Sequence, residues 1–283
     1  ELQRTLLPLG KVIALSRQKE GGLVGDLGDL QGLRQTLASV QPNIIVNAAA
    51  YTSVDSAESE EALARQVNGN AVRLLSEYAA ATGSWLIHYS TDYVFSGEGN
   101  KPWDEDDDIG PLNIYGVTKL EGECAIRQSG CKHLIFRTSW VYGARGNNFA
   151  TTMLKLAAER EHMRVVDDQI GAPTGAKLIA DVTAQALSLV VLDSIKSGTY
   201  HLAAHGEISW YGYAQYIITS AKAAGANLKV HTLEGISTAN YPTPAQRPLN
   251  SRLSTRKIQA ALNIKLPDWQ DGVDRMLIEM QGL

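Results

Sequence analysis

Apolar residues follow two alternating rhythms along this chain. Short, nearly unbroken runs at Ile44–Ala50, Trp85–Asp92 and His133–Thr138 have the length and continuity of buried strands. Longer stretches between them repeat at helical spacing. Asp29 can N-cap a helix to about Val40, which Pro42 stops, and the helix Asn68–Thr82 ends at Gly83 in the C′ position. Glu1–Gly10 reads as a helix and Lys11–Leu15 as a strand. Val54, Asp55 and Glu58 start a short polar helical segment, and Pro111–Ile114 opens a helix carrying Tyr115. Strands alternating with helices predict an α/β fold with a parallel, doubly wound sheet.

Beyond Gly143 the rhythm loosens. Asn147-Asn148-Phe149 precedes a helix to about Glu161, helix Lys177–Val191 and strand Thr199–Leu202 resume the sheet pattern, and Ser209 caps a helix from Trp210 to about Ala223. A last helix falls near Asp271–Met280. These breaks suggest a sheet domain of residues 1–146 and 175–204, with a smaller lobe from 147–174 and 205–283.

At 283 residues the chain can bury a sizeable core in one large or two modest domains. Thirty acidic side chains against 26 basic ones, with no strong clustering, give no indication of a nucleic-acid or membrane partner. The one charge run, Asp104–Asp108, reads as a solvated loop. Cys124 and Cys131 do not form a C-x-x-C pair, which suits reduced thiols in a cytoplasmic protein. No run of eighteen apolar residues is present. His201 and His205 lie in a strand-like stretch that turns them apart, so they read as structural rather than metal ligands.

The candidate chemistry lies between Ser90 and Glu123. Tyr115 and Lys119 sit four apart, on one face of a helix. An ammonium there favours the phenolate, so Lys119 is expected to lower the Tyr115 pKa and make it a proton donor or acceptor near neutral pH. Ser90-Thr91-Asp92 ends the preceding strand, and ligands of open α/β sheets sit beyond such carboxyl ends.

Together these residues resemble the extended short-chain dehydrogenase/reductase family. That resemblance implies Thr91, Tyr115 and Lys119 as the catalytic group. It also implies a Rossmann-type nicotinamide site formed by Ser16, Arg17, Asp26, Leu27, Ala48, Ala49, Ala50, Thr52 and Ser90, with Tyr115 and Lys119. Arg17, where an acid would suit NAD, leans toward NADPH, with NADH possible. The expected Gly-rich phosphate loop is not present, nor is an initiating Met, so the parent frame is expected to continue upstream by about one strand and one turn.

Arg137–Gly143 (R-T-S-W-V-Y-G), Asn147–Phe149, Asp167–Thr174 (D-D-Q-I-G-A-P-T) and Ala245–Ser251 (A-Q-R-P-L-N-S) narrow the resemblance to the dTDP-4-dehydrorhamnose reductase family. It implies reduction of the C4 ketone of a dTDP-sugar, for cell-surface polysaccharide, with substrate contacts from Val54, Asp55, Thr91, Asp92, Tyr93, Trp140, Asn148 and Arg247. Thr91 is followed by Asp92-Tyr93 rather than Asp-Glu, which disfavours the dehydratases of the same superfamily. Some members bridge a homodimer through Mg²⁺ held by glutamates. Glu1 and Glu279 could correspond, but Lys177 stands at the third place, where a hard cation needs oxygen, so Mg²⁺ is doubtful. A homodimer remains possible. The rival reading from another class is a non-catalytic NADP-binding regulatory subunit, which the intact Thr91, Tyr115 and Lys119 disfavour.

Overall fold

The computed structural model describes residues 1–18 and 21–281. Helix α1 (Leu2–Leu6) is short and runs into a 3₁₀ turn, Leu7–Leu9. The strand expected at Lys11–Leu15 is not formed. An extended segment becomes a strand only when a neighbour supplies ladder bonds, and this one has no such pairing among the described residues. Val12 still packs against the core, while Ile13 and Leu15 stay exposed.

Helix α2 (Leu30–Val40) starts where expected, with Asp29 Oδ1 accepting from Gly32 N at 2.9 Å. Strand β1 (Ile44–Asn47) is shorter than its apolar run, leaving Ala48–Ala50 as irregular backbone. Helices α3 (Val54–Ala57) and α4 (Glu61–Arg65) follow, then a π-turn, Gln66–Asn70, which interrupts the helix expected over Asn68–Thr82 before α5 (Ala71–Thr82). Strand β2 (Trp85–Thr91) leads into a 3₁₀ turn, Asp92–Val94, and then helix α6 (Ile114–Ser129) and strand β3 (His133–Thr138).

The remaining elements are β4 (Val141–Tyr142), α7 (Phe149–Glu159), β5 (His162–Val166), β6 (Ile170–Gly171), β7 (Thr174–Gly175) and α8 (Ala176–Val191). Then come β8 (Gly198–His201), β9 (Ile208–Ser209), α9 (Trp210–Ala223), β10 (Thr232–Ile236), α10 (Arg256–Leu262) and α11 (Trp269–Gln281).

The central sheet is wholly parallel, in the order β1-β2-β3-β8. Both faces are covered, as parallel sheets require. On one face Ile87, Leu134 and Phe136 pack against Val182, Ala186 and Val190 of α8. Ile258 and Leu266, late in the chain, return to this core. On the other face Ile45, Leu86 and Ile135 meet Leu33 and Leu37 of α2 and Val72, Leu75 and Ile126 of α5 and α6. Side chains two residues further along those strands, Asn47, His88 and Arg137, share this second face. It is therefore apolar at the amino half and polar at the carboxyl half.

A second assembly carries the small β5–β10 pair, also parallel, under α7 and α9. Here Phe149, Trp210, Tyr213 and Trp269 interlock, with Tyr213 and Trp269 edge-to-face at 5.8 Å.

Candidate active site

Asn113 caps α6, its Oδ1 accepting from Gly116 N at 2.8 Å, and Glu58 Oε1 accepts from Ile114 N at 2.8 Å. Two of the helix's free amide donors are thereby satisfied. Glycine is required at 116, because a Cβ there would stand 2.3 Å from the Tyr93 carbonyl oxygen. This close approach brings the first turn of α6 against the turn that follows β2, so Tyr115 meets Thr91 and Tyr93.

The Thr91 hydroxyl lies beside the Tyr115 phenol and favours its ionised form. The Thr91 hydroxyl also donates to Asp92 Oδ1 at 3.1 Å and accepts from Tyr93 N at 3.2 Å. Tyr93 and Tyr115 meet edge-to-face at 5.5 Å. Lys119 is 2 % exposed; its Nζ donates to the Tyr89 carbonyl at 2.6 Å and lies 3.2 Å from His88 Nε2.

The titration of this group departs from expectation. Tyr115 is pushed up to about 12, chiefly by burial, with the Thr91 hydroxyl pulling the other way. Lys119 is drawn down to about 8 by its own burial, against the attraction of Glu123. The expected acidification of Tyr115 by Lys119 is therefore not found: removal from water raises the phenol, and Lys119, whose Nζ bonds the Tyr89 carbonyl, is not among the groups that shift it. Asp92, also buried, is raised to about 6 by desolvation, opposed by the nearby Ser251 and Thr91 hydroxyls.

Beneath the site, Ser90 and Arg137 are partners in the β2–β3 ladder. Arg137 grips Glu123 by Nε to Oε1 (2.9 Å) and Nη2 to Oε2 (2.7 Å). Burial would raise Glu123, but Arg137 holds it below the usual value. Arg137 also donates to the Glu105 carbonyl at 3.2 Å, and Glu105 Oε1 accepts from His201 N at 2.8 Å. The loop Asp104–Asp108 is thus not wholly solvated; its second residue is anchored in the core. His201, inside β8, is structural as expected, with Nδ1 at 3.0 Å from the Trp103 carbonyl.

Of the residues expected to face a cofactor, Ala48, Ala49 and Thr52 are exposed beyond β1 and Ala50 is half-buried. Ser90 lies buried beside Glu123. Ser16 and Arg17 are exposed, and Ser16 Oγ donates to the Gln18 carbonyl. Asp26 Oδ1 accepts from Gly28 N at 2.8 Å, whereas the Leu27 side chain is buried in the core, which leaves only its backbone to face a ligand.

Of those expected to face substrate, Val54 and Asp55 lie together on α3. Arg247 reaches Asp55 by two bonds, 3.0 and 2.7 Å, so its guanidinium is already paired. Trp140, at φ 49°, stacks on Trp210 with ring centroids 3.5 Å apart. Asn148 caps α7 through Thr151 N and donates to the Gly143 carbonyl at 2.7 Å, so both its polar atoms are engaged in holding backbone.

Sequence reasoning passed over Asn47, Asn68, His88 and Glu123. Asn68 Oδ1 accepts from Tyr51 N (2.9 Å) and Nδ2 donates to the Tyr51 carbonyl and Thr118 Oγ1 (3.1 Å each). The π-turn points this side chain inward, and such turns often occur at functional sites. The available signal was a polar residue inside an apolar run, as His88 is within Trp85–Tyr89.

A cleft of about 390 Å³ opens between α8 and α11, and its lining includes none of Thr91, Tyr115 and Lys119. There Lys177 pairs with Glu279, and Glu1 with Arg4. Among the described residues no helix is long and apolar enough to cross a membrane.

A parallel sheet wound on both faces, with Thr91 closing β2, Tyr115 against it and Lys119 one turn on along α6, is that of a Rossmann-type extended short-chain dehydrogenase/reductase. Within that class, residues 1–281 match the model of the family described as the RmlD substrate binding domain, and the chain belongs to that family. It is 51% identical to the dTDP-4-dehydrorhamnose reductase of Escherichia coli K12 over 280 residues, 99% of this chain and 93% of that one. A dTDP-4-dehydrorhamnose reductase from Bacillus anthracis, solved in complex with NADP, superposes with TM-score 0.81 at 35% identity, covering 90% of this chain and 86% of that one. The Clostridium acetobutylicum enzyme of that name gives TM-score 0.86 at 30% identity, over 99% and 94% of the two chains.

Proposed function

We propose that this chain reduces the C4 ketone of dTDP-4-dehydro-L-rhamnose to dTDP-L-rhamnose, using NADPH in preference to NADH. What supports the reading is Tyr115 beside Thr91 at the end of β2, with Lys119 one helical turn further along α6. The residues suit a dinucleotide: small, exposed Ala48 and Ala49 offer bare backbone for a flat ligand, and Arg17 is free of burial for a 2′-phosphate. Reduced nicotinamide supplies the hydride when bound.

In this reading the protein's own groups manage the oxygen. Thr91 and Tyr115 point donors at the carbonyl, where negative charge develops as C4 is reduced. Tyr115 holds its proton firmly, as its raised pKa requires, and releases it only to an alkoxide. The O–H bond of the phenol breaks as that of the product forms, and the phenolate regains a proton from solvent. Lys119 supports Tyr115 and the nicotinamide ribose. Trp140, backed by Trp210, is a flat surface for the sugar or base, and Val54, Asp92 and Tyr93 are further substrate contacts. Arg247 exchanges Asp55 for the diphosphate, since guanidinium bonds phosphate oxygens in pairs.

Residues 1–146 and 175–204 carry the cofactor side and 147–174 and 205–283 the nucleotide-sugar side, with α10 tied back to the sheet. The setting is cytoplasmic biosynthesis of a cell-surface polysaccharide, and the chain acts alone or as a homodimer. The test is oxidation of NADPH, followed by absorbance, on addition of dTDP-4-dehydro-L-rhamnose. Tyr115→Phe should lose about 10²–10⁴ of the rate, the usual contribution of a positioned acid. No oxidation above that variant's rate refutes the reading.

A further inference from the structure

We propose that Trp210 and Gly171 are positioning residues that make Trp140 a platform for the pyranose ring of the substrate: Trp210 closes one face of the indole, and Gly171 keeps the opposite face free of side chain. Strands β6 and β9 bring them together. Gly171 pairs with Ile208 and Ile170 with Ser209, the residue before Trp210. Ser209 caps α9, its Oγ accepting from Gly212 N at 3.0 Å, and donates to Asp167 Oδ1 at 2.5 Å, which ties the start of the helix to the segment before β6.

Trp140 enters from the end of β3. Its backbone lies in the left-handed region, φ 49°, which a bulky residue seldom adopts, and its carbonyl accepts from Thr174 N at 3.2 Å. The ring lies nearly flat on Trp210, 10° from parallel with centroids 3.5 Å apart, and Phe149 packs on Trp210 in turn at 4.4 Å. The other face meets Gly171. A Cβ added there would stand 2.7 Å from Trp140 Cε2 and 2.9 and 3.0 Å from Nε1 and Cζ2, the rim atoms bonded to it. Nearest to the atom between them, it would sit over the ring rather than at its edge. It would also be on the side away from Trp210, since rings 3.5 Å apart leave no room for an atom between. With glycine only backbone crosses the Nε1 side of this face. Trp140 is half-buried, so part of the ring is open to a ligand.

The occupant is the sugar, not the base. Thr138 is the ladder partner of Thr91, and Trp140 follows two residues later, which puts the indole at the reacting end of the ligand. A pyranose presents C–H faces rimmed by hydroxyls, and an aromatic face is the apolar surface that suits them. The inference deepens the reductase reading and rests on it: the stack discriminates the hexulose from the nucleotide that carries it.

The test compares dTDP-L-rhamnose with dTDP by calorimetric titration, beside KM values for the dTDP-sugar and NADPH. The unaltered protein should hold dTDP-L-rhamnose the more tightly. An aromatic pair contributes up to about tenfold in affinity, so Trp210→Ala should weaken dTDP-L-rhamnose by about that factor and leave dTDP within about twofold. KM should rise for the dTDP-sugar and not for NADPH. Trp210→Phe, which keeps a ring behind Trp140, should recover most of the loss. Gly171 does not have a positive φ, so alanine suits its backbone. Gly171→Ala should weaken dTDP-L-rhamnose selectively too, and by less in a Trp140→Phe background, where the smaller ring leaves room for the methyl. If Trp210→Ala does not fold, the Gly171→Ala cycle decides. Equal losses for dTDP and dTDP-L-rhamnose, no loss for either, or an unaltered protein that holds the two alike overturns the proposal. NADPH oxidation alongside any of these leaves the reductase reading standing, and its absence with the sugar preference intact sinks that reading alone.

Discussion

Replacing Arg137 by methionine tests what holds the floor of the cleft. Arg137 and Glu123 are 1 % and 0 % exposed and joined by two charge-assisted bonds. The guanidinium also lies over the Phe95 ring at 5.0 Å and reaches the Glu105 carbonyl. Methionine keeps the aliphatic stem but leaves Glu123 with one paired cation among the described residues, Arg127 at the surface, and the Ser90 hydroxyl beside it. Breaking one side of a buried pair costs about 3–5 kcal/mol, because the stranded charge stays out of water. For a chain of this size each kcal/mol shifts the melting midpoint by about 2–4 °C, so a fall of roughly 6–20 °C is expected. The double variant Arg137→Met with Glu123→Leu removes both charges and should recover most of the loss. Circular dichroism against temperature and urea measures both. A single variant melting within about 2 °C of the parent would show that the pair contributes little, since that corresponds to less than about 1 kcal/mol.

Two further outcomes follow from the site. Asp92 binds its proton more tightly folded (about 6) than its ordinary value of 3.8. The folded state therefore holds the extra proton between those values, and stability falls as pH rises through them, by about 3 kcal/mol in all. Asp92→Asn should thus unfold at higher urea than the parent at pH 7 but at nearly the same urea at pH 4; an equal gain at both would sink the argument. Gly116→Ala places a Cβ 2.3 Å from the Tyr93 carbonyl. It should destabilise by about 1–3 kcal/mol through overpacking and slow turnover by displacing Tyr115, despite alanine's better helix propensity. A variant melting at or above the parent would argue against so close an approach.

The parallel sheet was legible because β1, β2 and β3 are apolar runs separated by helical spacing. The placement of Tyr115 and Lys119 one turn apart on α6, and of Thr91 at the end of β2, was legible because one-turn spacing and strand ends carry meaning in one dimension. Lys11–Leu15 misled, since a strand-like pattern says nothing of whether a partner stands beside it. The state of Tyr115 misled for a related reason: spacing reveals a neighbouring charge, while desolvation depends on everything packed around the ring. Asn148 and Arg247 carry suitable chemistry for a ligand, yet whether their polar groups are free depends on Gly143 and Asp55, which only the fold brings to them.

The π-turn at Gln66–Asn70 amounts to one surplus residue in an otherwise regular rod. Each residue advances a helix by about 100°, so the segments on either side are out of phase. Deleting Gly69 would straighten the rod, swinging Arg65 away from Glu121 or the apolar row of α5 away from the sheet. It would also withdraw Asn68 from Tyr51 and Thr118. Residue number between Glu61 and Thr82 is therefore constrained as tightly as residue type, and single-codon deletions there should be tolerated less well than substitutions.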